Sequence, residues 1–275
     1  MASAEIAYAK INLALHVRRR EADGYHAIET LFAFAEDGDE VTLRDEPGLA
    51  VSGPFAAALD ESDNLITRAA EGWARLTGRT IDTGFHLDKR LPVAAGIGGG
   101  SADAAAALRL LCARDGVDPS ESRVHELAAA LGADVPACLI SQPVRGEGRG
   151  DRLVAVDAPL SGLALLLVNP MRPLPTGPVF ARWDGVDHGP LDRGDPLAAA
   201  RRGRNDLEAP AIAILPVIGE ILSLLALQPG ALLARMSGSG ATCFALFENV
   251  EARDDAAREI GALHPDWWLM RTKLR

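Results

Sequence analysis

From Ile11 to Val17 the apolar residues Ile11, Leu13, Leu15 and Val17 alternate with Lys10, Asn12, Ala14 and His16, the period of a half-buried strand. Lys10 and Asn12 then share one face, roughly 6.5 Å apart along the strand. That face is either solvated or turned to one bound group. Similar patterning predicts strands over residues 7–17, 28–34, 41–43, 49–51 and 85–87, with a tight turn at Asp23-Gly24. Leu65, Ala69 and Trp73 recur every fourth residue, so a helix begins near Asp63-Asn64. Further helices run to about Arg114 and over residues 121–131, the second stopped by Gly132 in a left-handed conformation. Beyond Asp151 the pattern gives strand 163–168, helical segments 197–202 and 212–225, strands 232–236 and 242–247, helix 251–263 and strand 267–271. With its first helices taken as one layer this half reads β-α-β-β-α-β, the ferredoxin-like split motif. The boundary falls near residues 152–159, dividing the chain into domains 1–155 and 156–275. The last strand could also return to the first domain's sheet.

Gly96-Ile97-Gly98-Gly99-Gly100-Ser101 runs directly into Ala102-Asp103-Ala104-Ala105-Ala106-Ala107-Leu108. A backbone bare of side chains thus feeds a strong helix former, and the first N–H groups of a helix, unpaired and at the positive end of its dipole, suit phosphate oxygens. It is not a Walker loop, since Ala102 follows Ser101 and the loop holds no lysine. A dinucleotide-binding oxidoreductase would need an acidic residue ending the next strand, but Asp115 and Asp118 flank Gly116 and Pro119, as in a turn. Ser237-Gly238-Ser239-Gly240-Ala241 is a second small-residue turn that could admit a phosphate or close a hairpin. Asp134 either caps a short helix from Pro136 or serves as a catalytic carboxylate.

Composition narrows the class. The 275 residues suffice for two domains, and a net charge of −10 argues against a nucleic-acid surface. Only three of 28 basic residues are lysine, Lys10, Lys89 and Lys273; where arginine is the ordinary cation, a retained lysine points to use of a compact ammonium. Cys112, Cys138 and Cys243 lie far apart and suggest neither disulfides nor zinc, which fits a reducing, cytoplasmic setting. The amino terminus does not read as a signal peptide and no stretch reads as a membrane span.

Three motifs together resemble the GHMP kinase superfamily: Ala9-Lys10-Ile11-Asn12-Leu13 with Arg19 and Asp23-Gly24-Tyr25-His26, the segment Pro92 to Ala102, and Ser237 to Ala241. Shorter matches are Asp63-Asn64-Leu65-Ile66, Leu131 to Pro136, Pro175-Thr176 before Val179-Phe180, and Asn205-Asp206-Leu207-Glu208. The Asp-Gly-Tyr-His and Asn-Asp-Leu-Glu elements point to a branch whose acceptor carries a cytidine diphosphate. Ala102 departs from the second serine of many relatives, and Ile97 from their leucine. The resemblance implies an α+β fold, with a ribosomal-protein-S5-like ATP-binding domain and a ferredoxin-like C-terminal domain. It implies an ATP-dependent, Mg²⁺-assisted kinase of a small alcohol, monomeric or weakly dimeric, with mevalonate, homoserine or a sugar as alternative acceptors. It implies Lys10 and Asp134 as catalytic residues. ATP is expected against Pro92, Val93, Ala94, Ala95, Gly96, Ile97, Gly98, Gly99, Gly100, Ser101 and Ala102, with adenine near Asn64, Leu65 and Lys89. The acceptor is expected against Asn12, Tyr25, His26, Thr176, Phe180, Gly238, Ser239 and Gly240, its cytosine between the Tyr25 and Phe180 rings. A nucleic-acid module of the same β-α-β-β-α-β layout is the competing class, disfavoured by the acidic charge.

Overall fold

Every residue from Ala9 to Val17 is buried, polar and apolar alike. The polar face of this strand is therefore enclosed, and the solvated alternative falls. The computed structural model describes residues 4–59, 64–80, 82–156 and 160–275; Asp63, at the expected helix start, and Pro159, at the expected boundary, lie outside them. Packing groups the chain into two compact units, one from residues 1–10, 37–93 and 98–141, the other from residues 11–36, 94–97 and 142–275. The strands β1 (Ala4–Arg20) and β2 (His26–Arg44) are covalently shared by both.

In the first unit, Glu40–Arg44 of β2 pairs antiparallel with β4 (Gly84–Asp88), which runs parallel to β3 (Leu49–Ser52). Among the described residues the α-helices that accompany these strands are α1 (Leu65–Thr77), α2 (Gly99–Asp115), α3 (Ser122–Leu131) and α4 (Val135–Ile140). Asn64 caps α1 by accepting a hydrogen bond from the Ile66 N–H at 2.9 Å, and Ile66, Ala69 and Trp73 form its buried stripe. Two expectations need correction. The separate strands 28–34 and 41–43 are one strand, because Gly38 lets β1 pass where a Cβ would lie 1.9 Å from the Ala7 carbonyl oxygen. What looks like turn composition is a close backbone approach. Gly132 does not stop α3 in the left-handed region; its φ of 168° is extended, and the chain runs straight on to Asp134.

In the second unit, Ile28–Phe32 of β2 pairs with β5 (Val144–Gly148), and β5 with β6 (Arg152–Ala155). Sequence patterning misses β5 because Gly146 interrupts it; a Cβ there would sit 2.7 Å from the Phe32 ring. The strands β7 (Ala164–Asn169), β8 (Ala231–Met236), β9 (Cys243–Phe247) and β10 (Trp268–Lys273) form an antiparallel sheet in the order β10-β7-β9-β8, the ferredoxin-like arrangement. β10 pairs with β7 over its whole length, and the chain just beyond it reaches β2, where Leu274 bridges Ala35 and the Arg275 N–H donates to the Phe34 carbonyl at 3.0 Å; the expected return to the other sheet is made by these last two residues. The helices are α5 (Thr176–Ala181), α6 (Pro196–Arg202), α7 (Glu208–Ile214), α8 (Val217–Ala226) and α9 (Val250–Leu263). The expected single helix over 212–225 is split at Leu215, which leaves helical geometry (φ −133°, ψ 85°) before Pro216. Ile218, Ile221, Leu225, Ala256 and Ile260 join Leu166, Val168, Ala245 and Phe247 of the sheet in one apolar core.

Candidate active site

The glycine loop delivers its backbone to α2 without a capping side chain. Gly98, at φ 65°, is the N-cap, no side chain accepts from the first turn, and the first intrahelical bond runs from the Ala102 N–H to the Gly98 carbonyl at 2.8 Å. The N–H groups of Gly99, Gly100 and Ser101 thus point out of the helix end, where the dipole favours an anion. Pro92, Ala95, Ile97 and Ala102 are buried and support the loop from within, while Val93, Ala94 and Gly100 are exposed. The left-handed glycines also permit close packing. A Cβ on Gly96 would lie 2.4 Å from the Gly240 carbonyl oxygen, and one on Gly98 would lie 2.9 Å from Lys10 Cε.

Lys10 and Asp134 meet. The Lys10 Nζ lies 2.9 Å from Asp134 Oδ2, with the lysine side chain 5% and the aspartate 34% exposed. Asp134 occupies the N-cap position of α4, yet its side chain accepts no capping hydrogen bond. The capping alternative therefore fails, and the carboxylate is directed to the ammonium with part of its surface open. The Lys10 side chain thus meets the Asp134 carboxylate with its ammonium and passes close to Gly98 of the glycine loop with its Cε, an arrangement that suits phosphoryl transfer.

Asn64, Leu65 and Lys89 divide differently. Asn64 is spent on capping α1, and the half-buried Leu65 reaches within 3.6 Å of a Cβ built on Gly100. The Lys89 ammonium is enclosed: it donates to Asp39 Oδ2 at 2.6 Å and Asp103 Oδ2 at 2.7 Å, all three side chains at most 3% exposed. A Cβ on Gly99 would be 3.1 Å from Lys89 Nζ, so this cluster underlies the first turn of α2. Burial pushes the Asp103 carboxyl up to about 8, against the attraction of Lys89. Asp103 Oδ1 is buried without a partner.

In the second unit a set of side chains fixes the Ser237–Ala241 turn. The Ser237 hydroxyl accepts from the Asn12 N–H at 3.2 Å and donates to the Gly96 carbonyl at 2.9 Å. Asn12 Nδ2 donates to the Thr30 hydroxyl at 2.8 Å, and Asn12 Oδ1 lies 3.3 Å from a Cβ built on Gly238. Thr176 and Ser239 share a hydroxyl hydrogen bond of 2.9 Å. Asn205 Nδ2 donates to the Met236 and Gly238 carbonyls at 2.8 and 2.7 Å, while Asp206 Oδ2 accepts from the Val17 N–H at 2.7 Å. Ser237 and Asn205 were absent from the expected site; the Asn-Asp-Leu-Glu run was the only sequence signal for the second.

The three residues expected at the cytosine have the following neighbours. His26 packs on Phe180 with ring centroids 5.0 Å apart and meets Trp183 edge-on at 5.6 Å. Burial, and then Arg20, lower the pKa of His26. Tyr25 is 57% exposed, which excludes a core role, and the Arg149 guanidinium lies 3.9 Å from its ring centroid. Among the described residues there is no cluster of three or more His, Cys, Asp or Glu able to hold a metal ion, and no helix long and apolar enough to cross a membrane.

Fold and loop together define a phosphotransferase of the GHMP class. The family pattern described as "GHMP kinases N terminal domain" matches residues 64–142, and "GHMP kinases C terminal" matches residues 190–266. A 4-diphosphocytidyl-2-C-methyl-D-erythritol kinase of Rhizorhabdus wittichii is 63% identical over 98% of this chain and 94% of its own. One of Novosphingobium aromaticivorans is 49% identical over 100% and 94%. The crystal structure of a 4-(cytidine 5'-diphospho)-2C-methyl-D-erythritol kinase superposes with a TM-score of 0.80 at 32% identity, covering 98% of this chain and 99% of that one. L. major mevalonate kinase shares the fold at a TM-score of 0.68 and 16% identity, covering 100% and 96%. The chain belongs to the 4-diphosphocytidyl-2-C-methyl-D-erythritol kinase family of GHMP kinases. It is an enzyme that uses ATP, and the α+β, two-domain reading of the sequence stands.

Proposed function

We propose that this kinase transfers the terminal phosphoryl group of ATP to the 2-hydroxyl of 4-diphosphocytidyl-2-C-methyl-D-erythritol, giving the 2-phosphate and ADP in the non-mevalonate route to isoprenoid precursors. Asp134 accepts the hydroxyl proton as the new O–P bond forms and the bond to the ADP oxygen breaks; Lys10 orients Asp134 and stabilises the charge on the transferring group. The 2.9 Å contact between an almost fully enclosed lysine and a partly open carboxylate carries this reading. The ammonium holds the carboxylate in place beside the glycine loop and supplies a compact positive charge for the transferring group. Phosphoryl transfer needs positioning and charge stabilisation more than covalent chemistry, which is why a loop of backbone donors and one point charge suffice.

In this reading the residues of the Pro92–Ala102 loop bind the phosphates, with Asn64 and Leu65 toward adenine. Lys89 acts there through its main chain, since its ammonium is committed to two carboxylates. Asn12, Thr176, Gly238, Ser239 and Gly240 contact the acceptor, and Tyr25, His26 and Phe180 take the cytosine. The domain division is kept at 155/156. Mg²⁺ would be held chiefly by the ATP phosphates and water, with the Ser101 hydroxyl as the protein ligand offered by the glycine loop. The bound ion neutralises phosphate charge. Three free, buried cysteines support a reducing, cytoplasmic setting.

Coupled measurement of ADP release tests the catalytic pair. Lys10→Met and Asp134→Asn are each expected to cut kcat by at least about a hundredfold, by loss of transition-state stabilisation, while far-ultraviolet circular dichroism stays that of the parent. Parental turnover in either variant removes that residue from catalysis.

A further inference from the structure

Lys10 lies on β1, Asp134 at the start of α4, and the phosphate-binding turn at the start of α2. Three elements must therefore hold a common register to within a fraction of an ångström for transfer to occur. One side chain touches all three. Arg109 projects from α2 about 15 Å along the helix from Gly99 and is 15% exposed. Its Nε donates to Glu5 Oε2 at 2.8 Å and its Nη2 to the Ile6 carbonyl at 2.8 Å, both on β1. Its Nη1 donates to the Cys138 carbonyl at 2.9 Å and the Ser141 hydroxyl at 3.3 Å, at the far end of α4 from Asp134. The guanidinium also lies over the Tyr8 ring, 6.0 Å from its centroid. Tyr8 and Lys10 are two residues apart on one strand and so share a face.

We propose that Arg109 is a positioning residue for phosphoryl transfer: it locks β1 and α4 to α2 and thereby fixes the Lys10–Asp134 pair relative to the phosphate turn. This rests on the reading of that pair as catalytic. A planar fork with donors aimed in three directions is what such a junction demands, and a lysine reproduces only part of it. The charge also sits at the carbonyl end of α4, where a cation is favoured, so the clamp holds α4 by its C-terminal turn while Asp134 at the other end stays free to work. Glu5 is 27% exposed and contributes least, since water can replace it.

The test compares Arg109→Met and Arg109→Lys with the parent, each alone and with Asp134→Asn, in single-turnover and steady-state assays. Arg109→Met is expected to lower kcat roughly ten- to a hundredfold, the order produced by sub-ångström misplacement, with KM for ATP and for the acceptor within about twofold of the parent. Arg109→Lys recovers part of the loss, and it serves alone if Arg109→Met does not fold. In the Asp134→Asn background the Arg109 substitution has little further effect, because groups acting through one another are not additive. Parental kcat in a folded Arg109 variant, an effect confined to KM, or an undiminished loss in the Asp134→Asn background overturns the inference. Parental turnover in Asp134→Asn alone overturns the catalytic reading beneath it.

Discussion

A buried ammonium is held in place by whatever carboxylates surround it, and this chain encloses two of its three lysines in that way. Lys10 faces a partly open aspartate; Lys89 faces two closed ones. The difference in exposure fits the roles proposed for them, Lys10 at the transferring group and Lys89 beneath the glycine loop. With two carboxylates against one ammonium, the Lys89 cluster avoids an uncompensated buried charge when Asp103 carries a proton, in line with the rise of its pKa to about 8. The sign for stability follows from linkage. Between the ordinary carboxylate range and about pH 8 the folded state holds a proton at Asp103 that the unfolded state has lost, so this contribution to stability is complete below that window and is lost as pH rises through it. Thermal melts from pH 4 to 9 should show Asp103→Asn gaining on the parent steadily with rising pH; a constant offset would mean that Asp103 is ionised throughout. Lys10 was legible in the sequence because lysine is scarce here and the strand alternation put it beside Asn12. The turn that begins at Ser237 was legible too, but the bonds that hold that serine were not, since its partners Asn12 and Gly96 are 225 and 141 positions away. Arg109 was hidden for a related reason: in a chain with 25 arginines one more on a helix carries no signal.

At the scale of elements, the loop and its helix were readable because glycine followed by alanine is a local signal, whereas the continuity of β2 across Gly38 was not. Only the passage of β1 explains that glycine. Composition fails where a neighbour, and not the local chain, decides the conformation. The same contrast separates two glycines of the phosphate turn. Gly98→Ala places a Cβ in left-handed backbone and against Lys10, and should lower both the melting temperature and kcat. Gly100 lies within α2, with Leu65 Cδ1 3.6 Å from its built Cβ, so Gly100→Ala should raise the melting temperature, by the ~0.5–1 kcal/mol that alanine gains over glycine in a helix, while raising KM for ATP. Melts and steady-state kinetics on the two variants check this, and equal behaviour of both would contradict the assigned backbone roles.

For the whole molecule, the ferredoxin-like sheet order, two family patterns and close relatives over nearly the full chain agree on the class. The choice of acceptor is the finer claim, and in the proposed reading Tyr25, His26 and Phe180 bear it more than the fold, which mevalonate kinase shares. The most direct measurement is ADP release with Mg²⁺-ATP and, in turn, 4-diphosphocytidyl-2-C-methyl-D-erythritol, mevalonate, homoserine and galactose as acceptors at equal concentration. Turnover with the cytidyl alcohol at least a hundredfold above the other three is the predicted result. Faster turnover of any of those three, or no ADP release with the cytidyl alcohol, would contradict the account.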